Sequence, residues 1–181
     1  MRPRSIRPKA YVFDFDDTLV KTQAQVHVLR DGKKIKSLTP EEYNVYKEEP
    51  GETFDMSDFT DPRIIFGAEK YKSWAELENV DRAIKFGKAN AVIYILTARA
   101  PAAQIPIHTF LKRNNITIPL NNVITIGNDK GEWVNIPEEK EKVLKVLAGM
   151  YDVYFFDDSE DNIKMATKIP GVNARLIDWK K

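Results

Sequence analysis

The chain alternates short apolar runs with stretches in which apolar residues recur every three or four positions. Short apolar runs bounded by polar residues read as buried strands. The three-to-four spacing reads as helices with one inward face. Ala10–Phe15 is the first such run, rich in β-formers and ending in acids. Val26–Leu29 and Lys33–Ser37 flank Asp31-Gly32, a pair that tolerates the positive φ of a tight hairpin turn. Thr39-Pro40-Glu41-Glu42 predicts a helix start. Thr is the N-cap, Pro the first helical residue, and the acids sit at the positive end of the dipole. Residues 49–71 read as irregular, broken by Pro50, Gly51 and Pro62. Ser73-Trp74-Ala75-Glu76 predicts a capping box. The helix it opens turns Trp74, Leu77, Val80 and Ile84 inward and stops at Gly87.

From there the alternation is regular. Ala91–Leu96, Val123–Ile126, Val153–Phe156 and Val172–Asp178 are predicted strands. Ala102–Arg113, Glu138–Gly149 and Ser159–Lys168 are predicted helices. Five apolar strands separated by helices predict an α/β fold. It is a doubly wound, five-stranded parallel sheet covered on both faces, with a β-hairpin flap after the first strand. The 181 residues suit a single domain, 1–181, with the flap hairpin and a small cap-like insertion at 20–72. Such sheets bind ligands beyond the carboxyl ends of their strands, near the point where strand order reverses.

Composition narrows the chemistry. The chain is 43% hydrophobic and 30% charged, and 28 basic against 27 acidic residues leave a net charge of +1. That balance excludes a strongly basic nucleic-acid coat or an acidic tail as the main function. There is no cysteine, so no disulfide, thiol nucleophile or Cys-based zinc site. His27 and His108 are too few for a histidine-rich metal centre. The basic start, Met1–Lys9, reads as solvated and frayed, and the apolar run after it is interrupted by Asp14, Asp16 and Asp17. Ala91–Leu96 is far below the roughly 20 residues of a membrane span. The expectation is a cytoplasmic protein without a membrane partner. Carboxylates, hydroxyls, Lys and Arg remain as reactive groups.

These groups fall at strand ends. The first strand ends in Asp14-Phe15-Asp16-Asp17-Thr18, the Ala91 strand in Thr97-Ala98-Arg99, and the Val153 strand in Asp157-Asp158-Ser159. Lys140 and Lys142 open the helix before the last of these. A parallel sheet brings all of them to one edge. Clustered carboxylates repel unless a cation sits among them. A hard divalent ion such as Mg²⁺ suits oxygen ligands, and a phosphoryl group suits the metal, Lys and Arg together. Shielded in this way, an Asp can attack phosphorus.

Asp14-Phe15-Asp16-Asp17-Thr18-Leu19 resembles the DxDxT motif of the haloacid dehalogenase (HAD) superfamily of phosphohydrolases. Thr97 matches the second motif of that family, a Lys near a helix start the third, and Asp157-Asp158 the acidic pair of the fourth. The likeness runs from Ala10 to Asn162. It implies that Asp14 is the nucleophile forming an aspartyl-phosphate, and that Asp16 protonates the leaving oxygen and then activates water. It implies Mg²⁺ between Asp14, the Asp16 main chain and Asp158, with Asp157 in support. Thr97 and the Ala98 N–H would hold phosphoryl oxygens, Lys140 would balance charge, and Thr18 would orient the loop. Thr18, Ala98 and Arg99 are the substrate-binding positions. Arg99 either forks onto a substrate phosphate or carboxylate or pairs with a surface acid. Lys142 rivals Lys140 for the third motif. Asp161 or Asn162 could hold the lysine or a metal-bound water. Asp17 departs from the family's usual Gly. The flap hairpin and the short insertion imply a capless or minimally capped member with an open site.

The hairpin reads as two faces, with Val26, Val28 and Ile35 on one and His27, Lys34 and Lys36 on the other. A basic flap would suit a polyanion, or it simply resists edge pairing. Tyr43, Tyr46, Phe54, Phe59 and Phe66 either stack on a base or form a local core, and His108 reads as a helix-surface residue. The expected partner is a phosphorylated small molecule, a nucleotide or a nucleic-acid end. Asp157-Asp158 and Thr97-Ala98-Arg99 are also similar to the 3′-phosphatase part of polynucleotide kinases, without a Walker loop for kinase activity. Two other classes compete. One is a response-regulator-like receiver, whose phospho-acceptor Asp ends a middle strand, whereas the middle strands here end in Thr97 and Gly127. The other is a non-catalytic HAD-fold binding protein, which has no need of Asp14, Asp16, Thr97 and Asp158 together.

Overall fold

The structure is a computed structural model that describes residues 7–128 and 134–178. The basic residues Arg2 and Arg4 lie outside the described residues. The elements, in chain order, are β1 (Lys9–Phe13), β2 (Val20–Lys21), β3 (Val26–Arg30), β4 (Lys33–Leu38), α1 (Pro40–Val45), β5 (Glu52–Asp55), α2 (Pro62–Phe66), β6 (Glu69–Lys70) and α3 (Trp74–Lys85). They continue with β7 (Ala91–Thr97), α4 (Gln104–Arg113), β8 (Val123–Thr125), α5 (Ile136–Met150), β9 (Asp152–Asp157), α6 (Glu160–Ala166) and β10 (Val172–Leu176).

Five strands form one all-parallel sheet in the order β10-β9-β1-β7-β8. The chain steps outward from β1 through β7 to β8, then returns to the other side of β1 with β9 and β10. Strand order therefore reverses at β1, and a crevice is expected at the carboxyl ends of β1 and β9. Alternation along each strand makes two cores. Phe13, Ile93, Ile95 and Phe156 face Leu77 and Val80 of α3 and Ile107, Phe110 and Leu111 of α4. Ala10, Val12, Leu96, Val153 and Phe155 face Leu144 and Leu147 of α5 and Ala166 of α6. Each fully buried side chain of this size contributes about 1.5–3 kcal/mol of apolar burial.

The segment expected to be irregular is ordered. Glu52–Asp55 pairs with β3, so the predicted hairpin is a three-stranded antiparallel sheet, β4-β3-β5. Thr53 and Phe54, β-formers between turn residues, carry that signal in the sequence. Pro62 starts α2 instead of breaking structure, with Asp61 as its N-cap, and Glu69–Lys70 pairs with β2. Asp31 and Gly32 have φ of 51° and 71°, the paired positive values of the tight turn.

A β-bulge overturns the two predicted hairpin faces. Val28 pairs with Lys36 but Leu29 pairs with Lys34, so Ile35 is the extra residue and is 50% exposed. Val26, Val28 and Leu38 form a small third core with Tyr43, Tyr46, Phe54, Met56 and Phe59 around them. Those aromatics are core residues. Lys36 lies over the Tyr46 ring, and Phe66 is covered by the Arg113 guanidinium at 4.1 Å. The Thr39 capping box forms as expected, with both reciprocal bonds present. The predicted box at Ser73 does not. Ser73 has helical φ and ψ, and its Oγ donates instead to the Thr18 carbonyl. His108 is a tie between elements, bonded to the Ile118 carbonyl at 2.9 Å.

Candidate active site

Asp14 is the first residue beyond β1, and its N–H donates to Phe156 O of β9 at 2.9 Å. Its side chain is buried at the reversal point of the sheet. Asp14 Oδ1 accepts from Lys140 Nζ at 2.8 Å, and the same ammonium donates to Asp157 Oδ2 at 2.6 Å. Lys140 is 1% exposed and comes from the first turns of α5, where Asn135 caps the helix through the Glu138 N–H. Lys142 is exposed and pairs with Glu139 and Glu138 of its own helix, so of the two lysines it is Lys140 that reaches Asp14 and Asp157.

Asp157 ends β9 and is fully buried with both oxygens occupied. Oδ1 accepts the Ser159 N–H at 2.8 Å, and the Asn162 amide reaches both oxygens at 3.1 and 3.0 Å. Ser159 caps α6 and so sets Asn162 in place. Asn162 therefore holds Asp157, and through it Lys140, while Asp161 is exposed and faces Lys164. Asp158 is partly exposed. The buried Thr18 hydroxyl stands 3.3 Å from both Asp158 Oδ1 and Asp14 Oδ2. One hydroxyl has one proton, so it donates to only one of them at a time.

Oxygen atoms of Asp14, Asp157 and Asp158 lie within 4.8 Å of one another. Three carboxylates against one ammonium leave an excess of negative charge. Burial pushes the Asp14 carboxyl well above its usual range, opposed by Lys140 and reinforced by Asp157 and Asp16. Burial, with the charges of Asp157 and Asp17, raises Asp158 to about 6. Burial alone would lower Lys140, but Asp14 and Asp157 outweigh it and hold it cationic well above the usual lysine value. Such a site gains from a further cation.

Arg99 pairs with an acid of the site itself, Asp16. It is 3% exposed, and its Nε and Nη2 fork onto Asp16 Oδ2 and Oδ1, both at 2.7 Å. Nη2 also donates to Thr22 Oγ1 at 3.1 Å, and Nη1 to the Phe59 carbonyl. The guanidinium lies near the rings of Phe15 and Phe59, at 5.7 and 5.4 Å. Arg99 thus fixes Asp16 and is tied to the turn at Phe59. Thr97 ends β7, next to β1, and its Oγ1 accepts the Arg99 N–H at 3.2 Å. Ala98 is exposed at this rim.

Two positioning features escaped the sequence reading. A Cβ on Gly127 would overlap the Ala98 carbonyl oxygen and stand 3.0 Å from the Arg99 carbonyl carbon. Only glycine lets the loop after β8 rest on the Thr97–Arg99 turn, where its N–H donates to Arg99 O at 3.1 Å. Position 127 read only as the end of a strand, and a Gly two residues past a strand is the signal that pointed to it. Tyr71 is the second. Its hydroxyl donates to Asp17 Oδ1 at 3.3 Å, and its N–H donates to Leu19 O at 2.9 Å. Asp17 has φ of 56°, a left-handed conformation that suits Gly and that Asp adopts at modest cost.

No protein-family model and no curated protein sequence matches the chain. Solved structures do. A chain in the "Structure of the Pnkp1/Rnl/Hen1 RNA repair complex" superimposes with a TM-score of 0.57 at 16% identity, covering 96% of this chain and 43% of that one. A chain in the "Structure of Pnkp1/Rnl/Hen1 complex" gives 0.59 at 16% identity, covering 97% and 48%. The two share this chain's fold. The chain spans less than half the length of either.

Proposed function

We propose that this protein is a phosphomonoester hydrolase of the HAD type, acting through an aspartyl-phosphate on Asp14, and that its substrates are nucleic-acid ends in preference to small phosphorylated metabolites. The observation that carries the reaction is Lys140, buried between Asp14 and Asp157 at the reversal point of the sheet. A buried ammonium shared by two carboxylates holds the nucleophile in one orientation and compensates its charge. The order Asp14-x-Asp16-x-Thr18, Thr97, Lys140, Asp157-Asp158 agrees with the HAD motifs. The preference for nucleic-acid ends draws on the shared fold with chains of RNA repair complexes and on the Thr97-Ala98-Arg99 likeness to 3′-phosphatases.

Mg²⁺ fits the donor set. Asp14 and Asp158 offer carboxylate oxygens close together, and the excess negative charge favours a hard cation. Asp157, saturated by Lys140, Asn162 and the Ser159 N–H, supports from behind. The ion would shield an incoming phosphoryl group from the carboxylates. Asp14 then attacks phosphorus, and the bond to the leaving oxygen breaks as that oxygen takes a proton from Asp16. In the second half Asp16 takes a proton from the water that attacks phosphorus, freeing Asp14 and inorganic phosphate. Asp16 Oδ1 receives both Arg99 Nη2 and Thr22. Oδ2 receives Arg99 Nε and keeps a lone pair for the proton.

Phosphate release from 3′- and 5′-phosphorylated oligonucleotides, nucleotides, sugar phosphates and an aryl phosphate, with and without Mg²⁺, tests both parts. Mg²⁺-dependent release, fastest from oligonucleotide ends, is expected. Inert ends beside active small phosphates would refute the substrate class, and no release from any member would refute the reaction.

A further inference from the structure

A second feature lies on the sheet face that carries Phe13 and Phe156, toward β10. In the parallel register Tyr11, Tyr154 and Asn173 form one row across β1, β9 and β10, and Phe13, Phe156 and Arg175 form the next. The two tyrosine rings stack at 5.1 Å with 15° between planes, and the two phenylalanine rings at 4.6 Å and 10°. These separations match the strand spacing of about 4.8 Å, so the stacking axis runs along each row. Each aromatic row stops at β9. In the first, the residue that would continue the stack is the short, exposed Asn173.

A cavity of about 260 Å³ opens there, lined among others by Lys9, Tyr11, Tyr154, Asn173, Arg175 and Glu76. Lys9 Nζ lies 5.4 Å from the Tyr154 ring centre. Arg175 reaches Glu76 at only 3.7 Å, with both side chains substantially exposed. Such a pair is weak and easily exchanged for another anion. The place therefore offers the end of an aromatic stack, an amide beside it, and two cations against one carboxylate.

We propose that this cavity is a base-stacking subsite for single-stranded nucleic acid. An unpaired base enters over Asn173 and continues the Tyr11–Tyr154 stack, while Lys9 and Arg175 meet the flanking phosphates. The chemistry is sequence-tolerant, since every base has a π-face and the contacts otherwise track the backbone. A link to the proposed reaction follows from position. Phe13 and Phe156 immediately precede Asp14 and Asp157, and Glu76 lies on the first turn of α3, whose Ser73 holds the Thr18 carbonyl. Tyr11 and Tyr154 stand three residues before Asp14 and Asp157 on the same two strands. The subsite deepens the reading of nucleic-acid ends as substrate, yet it can stand without it.

The test is fluorescence anisotropy with a labelled single-stranded ten-nucleotide RNA that carries no terminal phosphate, so binding is read apart from hydrolysis. Tyr154→Ala removes the platform. Asn173→Leu fills the place over Tyr154 with a side chain that has no π-face and removes no core contact. The wild-type protein should bind the strand, and each variant should lose about tenfold in affinity. Arg175→Ala should lose less and show a shallower salt dependence. A duplex of the same sequence should bind more weakly than the single strand. The proposal is overturned if the wild-type protein does not bind the strand at low salt, or if Asn173→Leu, shown to be folded by its circular dichroism, binds like wild type. Binding of this strand by a wild-type protein that releases phosphate from no substrate would refute the phosphatase reading and leave the subsite standing.

Discussion

At the scale of single residues, the site is decided by which carboxylates are already satisfied. Asp157 accepts four hydrogen bonds from three donors, Asp16 is gripped by a guanidinium, and Asp14 and Asp158 retain capacity for a cation. This division was legible only in part. The strand-end positions of Asp14, Thr97, Asp157 and Asp158 follow from apolar runs ending in polar residues. Side-chain direction does not, which leaves Arg99 open in the sequence between a substrate anion and an acid, and Lys142 open as a rival to Lys140. A guanidinium that orients Asp16 by two parallel bonds cannot be replaced by the single ammonium of lysine. Arg99→Lys should lower kcat roughly 10- to 100-fold with little change in KM and shift the pH–rate profile. A steady-state pH series on an aryl phosphate checks this. An unchanged profile with a lowered melting temperature would make Arg99 purely structural.

At the scale of elements, the site depends on loops held to one another beyond the sheet. The β1 loop is pinned by Ser73 and Tyr71, and the β7 loop by the close approach of Gly127. Strands and helices of the core were readable because burial on both faces makes the strands continuous apolar runs and burial on one face gives the helices a period of about three and a half. The segment between β2 and α3 was less readable. Its strands are short, its apolar residues serve a small separate core, and a bulge shifts the hairpin faces at Ile35. The Ser73 box fails because Ser73 has helical and not extended φ and ψ, so its Oγ caps no N–H of the helix and donates to the Thr18 carbonyl. Gly127→Ala should cost about 1–3 kcal/mol by overpacking and lower the melting temperature by about 2–4 °C per kcal/mol. Calorimetry on the variant measures the shift. A melting temperature equal to that of wild type would show that the turn relaxes freely.

At the scale of the whole molecule, a stable fold carries a buried excess of negative charge, and pH and cations act on it together. Asp158 is raised to about 6, above its unfolded value near 3.9. Its protonated form therefore favours the folded chain. In metal-free protein this contribution is present below about pH 4 and is lost as pH rises through about 6. A cation that replaces the proton restores it. Millimolar Mg²⁺ should thus raise the melting temperature more at pH 7.5 than at pH 5, as thermal denaturation at the two pH values would show. Equal shifts at both would place the ion away from Asp158. Among the described residues no helix is long and apolar enough to cross a membrane.

The central claim is that Asp14 forms a covalent bond to phosphorus, and the most direct measurement is to trap that bond. The protein is mixed with an aryl phosphate and Mg²⁺, quenched in acid and reduced with borohydride, which converts an aspartyl-phosphate to homoserine. Peptide mass spectrometry then locates the change. The account predicts homoserine at position 14 in wild type and none in Asp14→Asn. Phosphate turnover with no modification at position 14, or full turnover by Asp14→Asn, would contradict it.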